Sequence, residues 1–512
     1  MEHDTIAIID YGSQYTQLIA RRIRELNVYS IILPHDFKSS QVDFHDIKGI
    51  ILSGGPSSVY DDKSPELNKE ILSYGIPVLG ICYGLQLLVE QFGGRVNSSG
   101  IGEYGPSKIN IISNDALFDK IPNNTNVWMS HGDKIEMIPE DWFVTSTSEN
   151  GIISSIQNQK GNIFGVQFHP EVVHTDKGNI IIRNFILNIC NAKANWSSEN
   201  FIKQTIIDIR KTVGDRKVLC ALSGGVDSTV VSTIMKNAIG DNAICVFIDH
   251  GLLRKDEASE VVQMFNESLD LGVNLFDCSK IFLDKLKDVD DPEDKRKIIG
   301  LQFIEEFQRI TTEFGEVDFL AQGTLYPDII ESGGYGGSAK TIKSHHNVGG
   351  LPEKMNLKLI EPVKELFKDE VRKIGIDLDI PKKFINRHPF PGPGLAIRIL
   401  GKITEERLNV LREADALFIK ILKETNEYDN IWQAFCVLLP IRTVGVMGDN
   451  RTYDYVVGLR MVTSLDGMTA DWYNLPEHIL KVCSSRIVNE VKGVNRVVLD
   501  ITSKPPGTIE WE

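Results

Sequence analysis

Val218-Leu219-Cys220-Ala221-Leu222-Ser223-Gly224-Gly225-Val226-Asp227-Ser228-Thr229 decides the fold of this chain. Five apolar residues read as a buried strand, the Ser-Gly-Gly run as a tight turn, and the chain from about Ser228 as a helix. A helix over Glu199–Val213 precedes the stretch, and strand-like runs follow at Ala243–Ile248 and Val317–Gln322, the last after a helix near Ile298–Phe307. The same grammar runs earlier, from Ile6-Ala7-Ile8-Ile9 through Tyr29–Leu33 and Gly49–Leu52 to Ile76–Ile81, with helical patterns between several of the strands. Strands alternating with helices predict parallel sheets covered on both faces. Past the Pro/Gly run Arg387–Gly394 the order changes to a long helix, Glu405–Lys423, then strands and one more helix, Glu477–Val491. The expectation is an α/β protein with two doubly wound parallel-sheet domains plus a smaller α+β C-terminal domain. The boundaries fall at 1–193, 194–386 and 387–512.

Composition agrees with several domains and narrows the partners. The 512 residues exceed one ordinary hydrophobic core. A formal charge of −15 argues against a general nucleic-acid or acidic-membrane binder. Any anionic ligand must therefore meet locally placed cations and backbone N–H groups. Seven scattered cysteines without CxxC spacing predict reduced thiols in a cytoplasm, not a disulfide scaffold or zinc site. No apolar run reaches the length of a membrane span.

One cysteine has a chemical argument. Gly80-Ile81-Cys82-Tyr83-Gly84 follows the strand Ile76–Ile81 and precedes a helical run, so small residues flank Cys82 where a strand turns sharply into a helix. That is the cysteine counterpart of a nucleophile elbow, with helix N–H groups beside the thiol. His169 and Glu171, two residues apart, point the same way on an extended chain and supply a base and its orienting carboxylate. These residues, with Gln86 and the earlier Ser53-Gly54-Gly55-Pro56, resemble the class I glutamine amidotransferases. The resemblance implies that Cys82, His169 and Glu171 are catalytic and that Cys82 attacks the glutamine side-chain amide. It further implies an oxyanion hole from the N–H groups of Gly55 and Tyr83, with Gln86 and Ser130-His131-Gly132-Asp133 holding glutamine. A Ser-His-Gly-Asp run equally suits a surface turn.

Ser223–Thr229 offers turned backbone, hydroxyls and a helix N-terminus to a polyphosphate, and it lacks the Gly-Lys-[Ser/Thr] of a Walker A loop. It resembles the phosphate loop of the N-type ATP pyrophosphatases, which implies ATP binding by Ser223, Gly224, Gly225, Val226, Asp227, Ser228 and Thr229, with Mg²⁺ on the ATP. Asp249-His250-Gly251 and Arg254 end the next strand, where a doubly wound sheet binds its nucleotide. Asp227, Asp328 and Glu331 are acids placed to reach Mg²⁺, and nothing in the sequence selects among them. The Gly/Ser/Lys/His stretch Ser332–Leu351 reads as a lid over the site, with Lys343, His345 and His346 as phosphate contacts or plain loop polar residues.

A glutaminase joined to an adenylating unit fits several acceptors, NAD synthetase-like and asparagine synthetase-like enzymes among them. Three further stretches choose between them: Asp291–Gly300, Arg387–Gly394 and Lys504–Glu512. With these the whole chain resembles the glutamine-hydrolysing GMP synthetase family. The resemblance implies xanthosine 5′-monophosphate (XMP) as acceptor, bound by Arg296, Gln433, Arg496, Lys504, Ile509 and Glu510, and a homodimer formed through the third domain. Glutamine hydrolysis without an acceptor would be wasteful, so coupling of hydrolysis to ATP and XMP through the lid and the domain interface is expected. Two rivals remain at this stage, a tRNA-modifying enzyme with the same phosphate loop and a non-catalytic regulatory homologue.

Overall fold

The computed structural model describes residues 3–38, 42, 44–61, 64–97, 102–113, 115–326, 357–447, 450–464 and 469–512. Asp328, Glu331 and the expected lid, with Lys343, His345 and His346, lie outside the described residues. The described residues form two compact units, one ending at Phe201 and one running from Ile202 to Glu512.

In the first unit the strands are β1 (Thr5–Asp10), β2 (Tyr29–Pro34), β3 (Ile47–Leu52), β4 (Val78–Ile81), β5 (Arg95–Asn97), β6 (Glu103–Ile111), β7 (Thr125–His131), β8 (Lys134–Met137), β9 (Trp142–Ser148), β10 (Ile153–Asn158) and β11 (Ile163–Val166). Nine of them form one sheet in the order β2-β1-β3-β4-β11-β10-β9-β6-β7, and β5 pairs with β8 alone. The half from β2 to β11 is parallel, as the βα alternation requires. From β11 outward every pairing is antiparallel, so this sheet is mixed where a purely parallel one was expected. The reason lies in short connections. The turn Gln159–Asn162 joins β10 to β11, too short a link for the crossover that parallel neighbours need.

The second unit opens with β12 (Val218–Leu222), β13 (Ala243–Asp249), β14 (Asn274–Asp277), β15 (Phe319–Ala321) and β16 (Lys358–Ile360), all parallel in the order β14-β13-β12-β15-β16. The order reverses at β12, whose C-terminal end is thus the switch point where such sheets bind ligands. A second sheet, β17 (Gln433–Met447), β18 (Asn450–Thr463), β19 (Asp471–Trp472) and β20 (Val494–Asp500), carries the helices Glu405–Glu424 and Glu477–Glu490. One apolar cluster runs from Leu219 and Val246 through Leu395 to Leu459 and Ile487, so both sheets of this unit share a core. No helix among the described residues is long and apolar enough to cross a membrane.

Candidate active site

The first unit brings three neighbouring strand ends together. Gly54 and Gly55 follow β3, Cys82 follows β4 and His169 follows β11. Cys82 caps the helix Tyr83–Gln91 with φ +51°, a left-handed conformation that non-glycine residues rarely adopt. Its flanking glycines are there for space. A Cβ on Gly80 would lie 2.6 Å from Leu85 N, and one on Gly84 would lie 2.4 Å from Leu52 O. The turn is further tied by Cys82 N donating to Val166 O at 2.8 Å. Tyr83 is the first residue of the helix, so its N–H has no intrahelical partner and is available to an oxyanion.

His169 and Glu171 meet as the spacing requires, though not on a strand. β11 ends at Val166, and the pair sits in the turn around Pro170. His169 Nδ1 donates to Glu171 Oε1 at 2.8 Å with both side chains buried. His169 N donates to Trp128 O, and Arg22 Nε to Glu171 O, which fix the turn from two sides. Burial opposes charge on His169, yet Glu171 and the Cys82 sulfur outweigh it and lift the imidazole to about 11. At neutral pH the resting ring is an imidazolium, placed to stabilise negative charge on sulfur and to serve later as a proton donor. We expect Glu171→Gln to slow glutamine hydrolysis by about 10²–10⁴-fold, because the imidazolium loses its counter-charge and its orientation. Steady-state glutaminase kinetics at pH 7 measure this, and an unchanged rate would remove Glu171 from the machinery.

Gly55, Cys82, Tyr83, Gln86, Ser130, His131 and His169 line one cavity of about 550 Å³. Gln86 Nε2 and His131 Nδ1 both donate to Asp133 O, at 3.3 and 2.8 Å, and Ser58 Oγ donates to Asp133 Oδ2 at 2.6 Å. The Ser130–Asp133 run is therefore a wall of the cavity, not a free surface turn. Three groups at this site escape a reading of the sequence. Glu103, buried across from His131 on β6, holds its Oε2 3.3 Å from His131 Nε2. Tyr15 packs its ring edgewise on His169 at 5.0 Å. Gln167 places its amide nitrogen 3.6 Å from Cys82 Sγ.

In the second unit the loop after β12 is held open by its own hydroxyls. Ser223 Oγ and Ser228 Oγ lie 3.0 Å apart, Ser223 N donates to Ser228 Oγ, and Gly225 N donates to Ser223 Oγ. Gly224 has φ +75°, and Arg387 Nη1 donates to its carbonyl at 3.0 Å. Ser223 and Gly225 are exposed, whereas Val226 is buried and offers backbone only. Thr229 is fully buried and its hydroxyl donates back to Gly225 O at 2.8 Å, so it braces the turn from within. Asp227 Oδ2 pairs with Lys368 at 2.9 Å, and its Oδ1 is buried without a hydrogen-bond partner among the described residues. Beside the loop lies an open cleft of about 1110 Å³, whose walls include Arg254, Glu257, Lys382, Arg387, Lys423 and Tyr428. Arg254 itself pairs with Asp415 at 3.2 Å. His250 is buried, accepts from Leu252 N and is pushed down to about 4 by burial, so it is a neutral structural ring.

The C-terminal tail docks into the same unit. Gln433 Nε2 donates to Glu510 Oε1 at 2.7 Å, Ile509 is buried beside Phe435 and Val437, and Arg296 Nη2 donates to Glu512 O at 2.5 Å. Lys504 exchanges main-chain hydrogen bonds with Ala470, and Arg496 stands exposed on β20. The structure thus joins Arg296, Gln433, Ile509 and Glu510 through the tail, while Arg496 stands exposed on β20.

Over residues 7–189 the chain matches the class-I glutamine amidotransferase family, over 197–297 the NAD synthase family, and over 420–511 the GMP synthase C-terminal domain. It is 55% identical to the glutamine-hydrolysing GMP synthase of Aquifex aeolicus across the full length of both chains. The chain belongs to the glutamine-hydrolysing GMP synthase family. The GMP synthase of Thermosipho melanesiensis is 54% identical over 99% of this chain and all of its own. That of Bacillus cereus is 53% identical over 100% of this chain and 99% of its own. GMP synthase membership joins the thiol site of the first unit and the phosphate loop of the second to one enzyme.

Proposed function

We propose that this chain aminates XMP to GMP, taking nitrogen from glutamine and activation from ATP. The observation that carries the reading is the buried Cys82–His169–Glu171 group in a chain that also holds an open Ser223–Ser228 phosphate loop. The Cys82 thiolate adds to the glutamine amide carbon, and the oxyanion is received by the N–H groups of Gly55 and Tyr83. The imidazolium of His169 gives its proton to the departing ammonia and becomes the base that activates water against the thioester. Gln86, Ser130 and His131 hold the glutamine. In the second unit Ser223, Gly224, Gly225, Val226, Asp227 and Ser228 cradle the ATP phosphates, with Thr229 bracing them. The C2 oxygen of XMP attacks the α-phosphorus and pyrophosphate leaves; ammonia then adds at C2 and AMP departs.

Mg²⁺ suits this loop because Asp227 Oδ1 is a buried carboxylate oxygen without a partner among the described residues. When bound with ATP, the ion would neutralise phosphate charge. Arg296, Gln433, Arg496, Lys504, Ile509 and Glu510 are assigned to XMP. Exposed Ile441, Val444 and Tyr453 on the long hairpin of β17 and β18 favour a homodimer through that hairpin. The divisions 1–193, 194–386 and 387–512 then read as amidotransferase, adenylating and dimerisation segments. We place the enzyme in the cytoplasm, without a nucleic-acid partner, in keeping with its charge of −15. Incubation with glutamine, ATP, Mg²⁺ and XMP should yield GMP, AMP, pyrophosphate and glutamate in equal amounts by chromatography. No AMP above a control lacking XMP would defeat the assignment of the acceptor.

A further inference from the structure

Gln167 sits between the end of β11 and the catalytic His169, and it is wholly buried. Its backbone N–H donates to Ser154 O at 2.9 Å. Its side chain has no such ordinary use. Nε2 lies 3.6 Å from Cys82 Sγ, and Oε1 has no hydrogen-bond partner among the described residues. Burying a primary amide in this way costs free energy that a methionine of similar shape would not. The contact that answers the cost is the one with sulfur.

Apart from His169 and the helix N-terminus, the sulfur meets groups that oppose its charge. Ser130 O, 3.7 Å away, is an acceptor and favours the protonated thiol. Opposite it stands His169, with Glu171 behind. The other titratable groups around the cavity are His131 with Glu103 behind it, Asp133, Tyr15, Tyr83 and Tyr104. Asp133 and Glu103 repel a thiolate, and the neutral tyrosines do not hold it. An N–H aimed at the sulfur from the protein interior opposes these effects and sets the direction of its lone pairs. We propose that Gln167 is a further catalytic residue, whose Nε2–H donates to the Cys82 thiolate and keeps it charged and aimed before glutamine enters. The proposal rests on Cys82 being the nucleophile.

The test follows alkylation of Cys82 by chloroacetamide against pH, read from the mass of its peptide. Gln167→Met keeps the volume and removes the donor, so the profile should move up by about one pH unit, a tenfold slower reaction on its acid limb. Gln167→Glu places a carboxylate there and should move it further in the same direction. This second variant carries the test should the first lose cooperative thermal unfolding. Profiles of either folded variant that superpose on the wild type would overturn the proposal and leave Cys82 as the nucleophile. Undiminished glutamine hydrolysis by Cys82→Ala would instead remove the reading beneath it.

Discussion

Cys82→Ala should lose glutamine-dependent GMP synthesis by on the order of 10⁴-fold or more, while synthesis from added ammonium continues. Alanine has no atom that can form the thioester. The oxyanion hole and His169 cannot compensate, because their arrangement is built around a sulfur at the turn. Water in place of the thiol would have to attack an unactivated amide directly, without the covalent intermediate that divides the reaction into two easier steps. The loss should therefore be larger than for Glu171→Gln, where the nucleophile survives. The substitution should be well tolerated by the fold. Cys82 occupies a left-handed turn that alanine strains no more than cysteine does, and the strand and helix on either side keep their glycine contacts. The proposed ammonia-dependent reaction does not call on Cys82, so it should run near the wild-type rate. Parallel assays of GMP with glutamine and with ammonium decide the matter. Equal loss in both would mean that the change had damaged the whole protein, and retained use of glutamine would dismiss Cys82.

Both candidate centres were legible because each is a local strand–glycine–helix turn. Gly80–Gly84 and Ser223–Ser228 need no distant residue to be recognised. The pair His169 and Glu171 was legible from spacing, although the turn at Pro170, not strand periodicity, brings the side chains together. Gln167 was hidden in plain view beside them, because its contact depends on where a sulfur 85 positions earlier comes to rest. Glu103 was hidden by topology, since only the pairing of β6 with β7 sets it opposite His131. The antiparallel half of the first sheet was hard to read for a chemical reason. In β9 and β10 the buried positions carry hydroxyls, with Thr145 paired to Ser155 at 2.6 Å and Ser146 to Ser154 at 2.7 Å. Buried hydroxyls that satisfy one another erase the apolar alternation by which a strand is recognised. The charges of the second unit's core gave a subtler sign. Arg398 and Arg460 each lie in an apolar run, Leu395–Leu400 and Val456–Val462, where a cation has no place unless a partner arrives from elsewhere.

The partner is the C-terminal tail, and Glu510→Ala should show it through two separable losses. Arg398 is fully buried, stacks on Phe435 at 4.1 Å, and donates from Nε and Nη2 to the two oxygens of Glu510 at 3.0 and 2.8 Å. Lys295 is likewise buried and reaches Glu512 Oε2 at 2.5 Å, while Arg460 donates to the carbonyls of Thr502, Thr508 and Ile509. Removing the Glu510 carboxylate strands the Arg398 charge in the core, which costs about 3–5 kcal/mol. The urea midpoint of this unit should fall accordingly. Oε1 already accepts from both Arg398 and Gln433, but Oε2 accepts from Arg398 alone and keeps a lone pair that suits a ribose hydroxyl, so the KM for XMP in the ammonia-dependent reaction should rise as well. Arg398→Met combined with Glu510→Ala separates the two effects. With both charges gone the core has no stranded ion, and stability should recover most of the loss. On the proposed assignment of Glu510 to XMP, binding should not recover, because the carboxylate is still missing. A double variant that regained both stability and XMP affinity would show that Glu510 serves only to neutralise Arg398. One that regained stability alone would establish the carboxylate as a ligand group that a buried arginine holds in place.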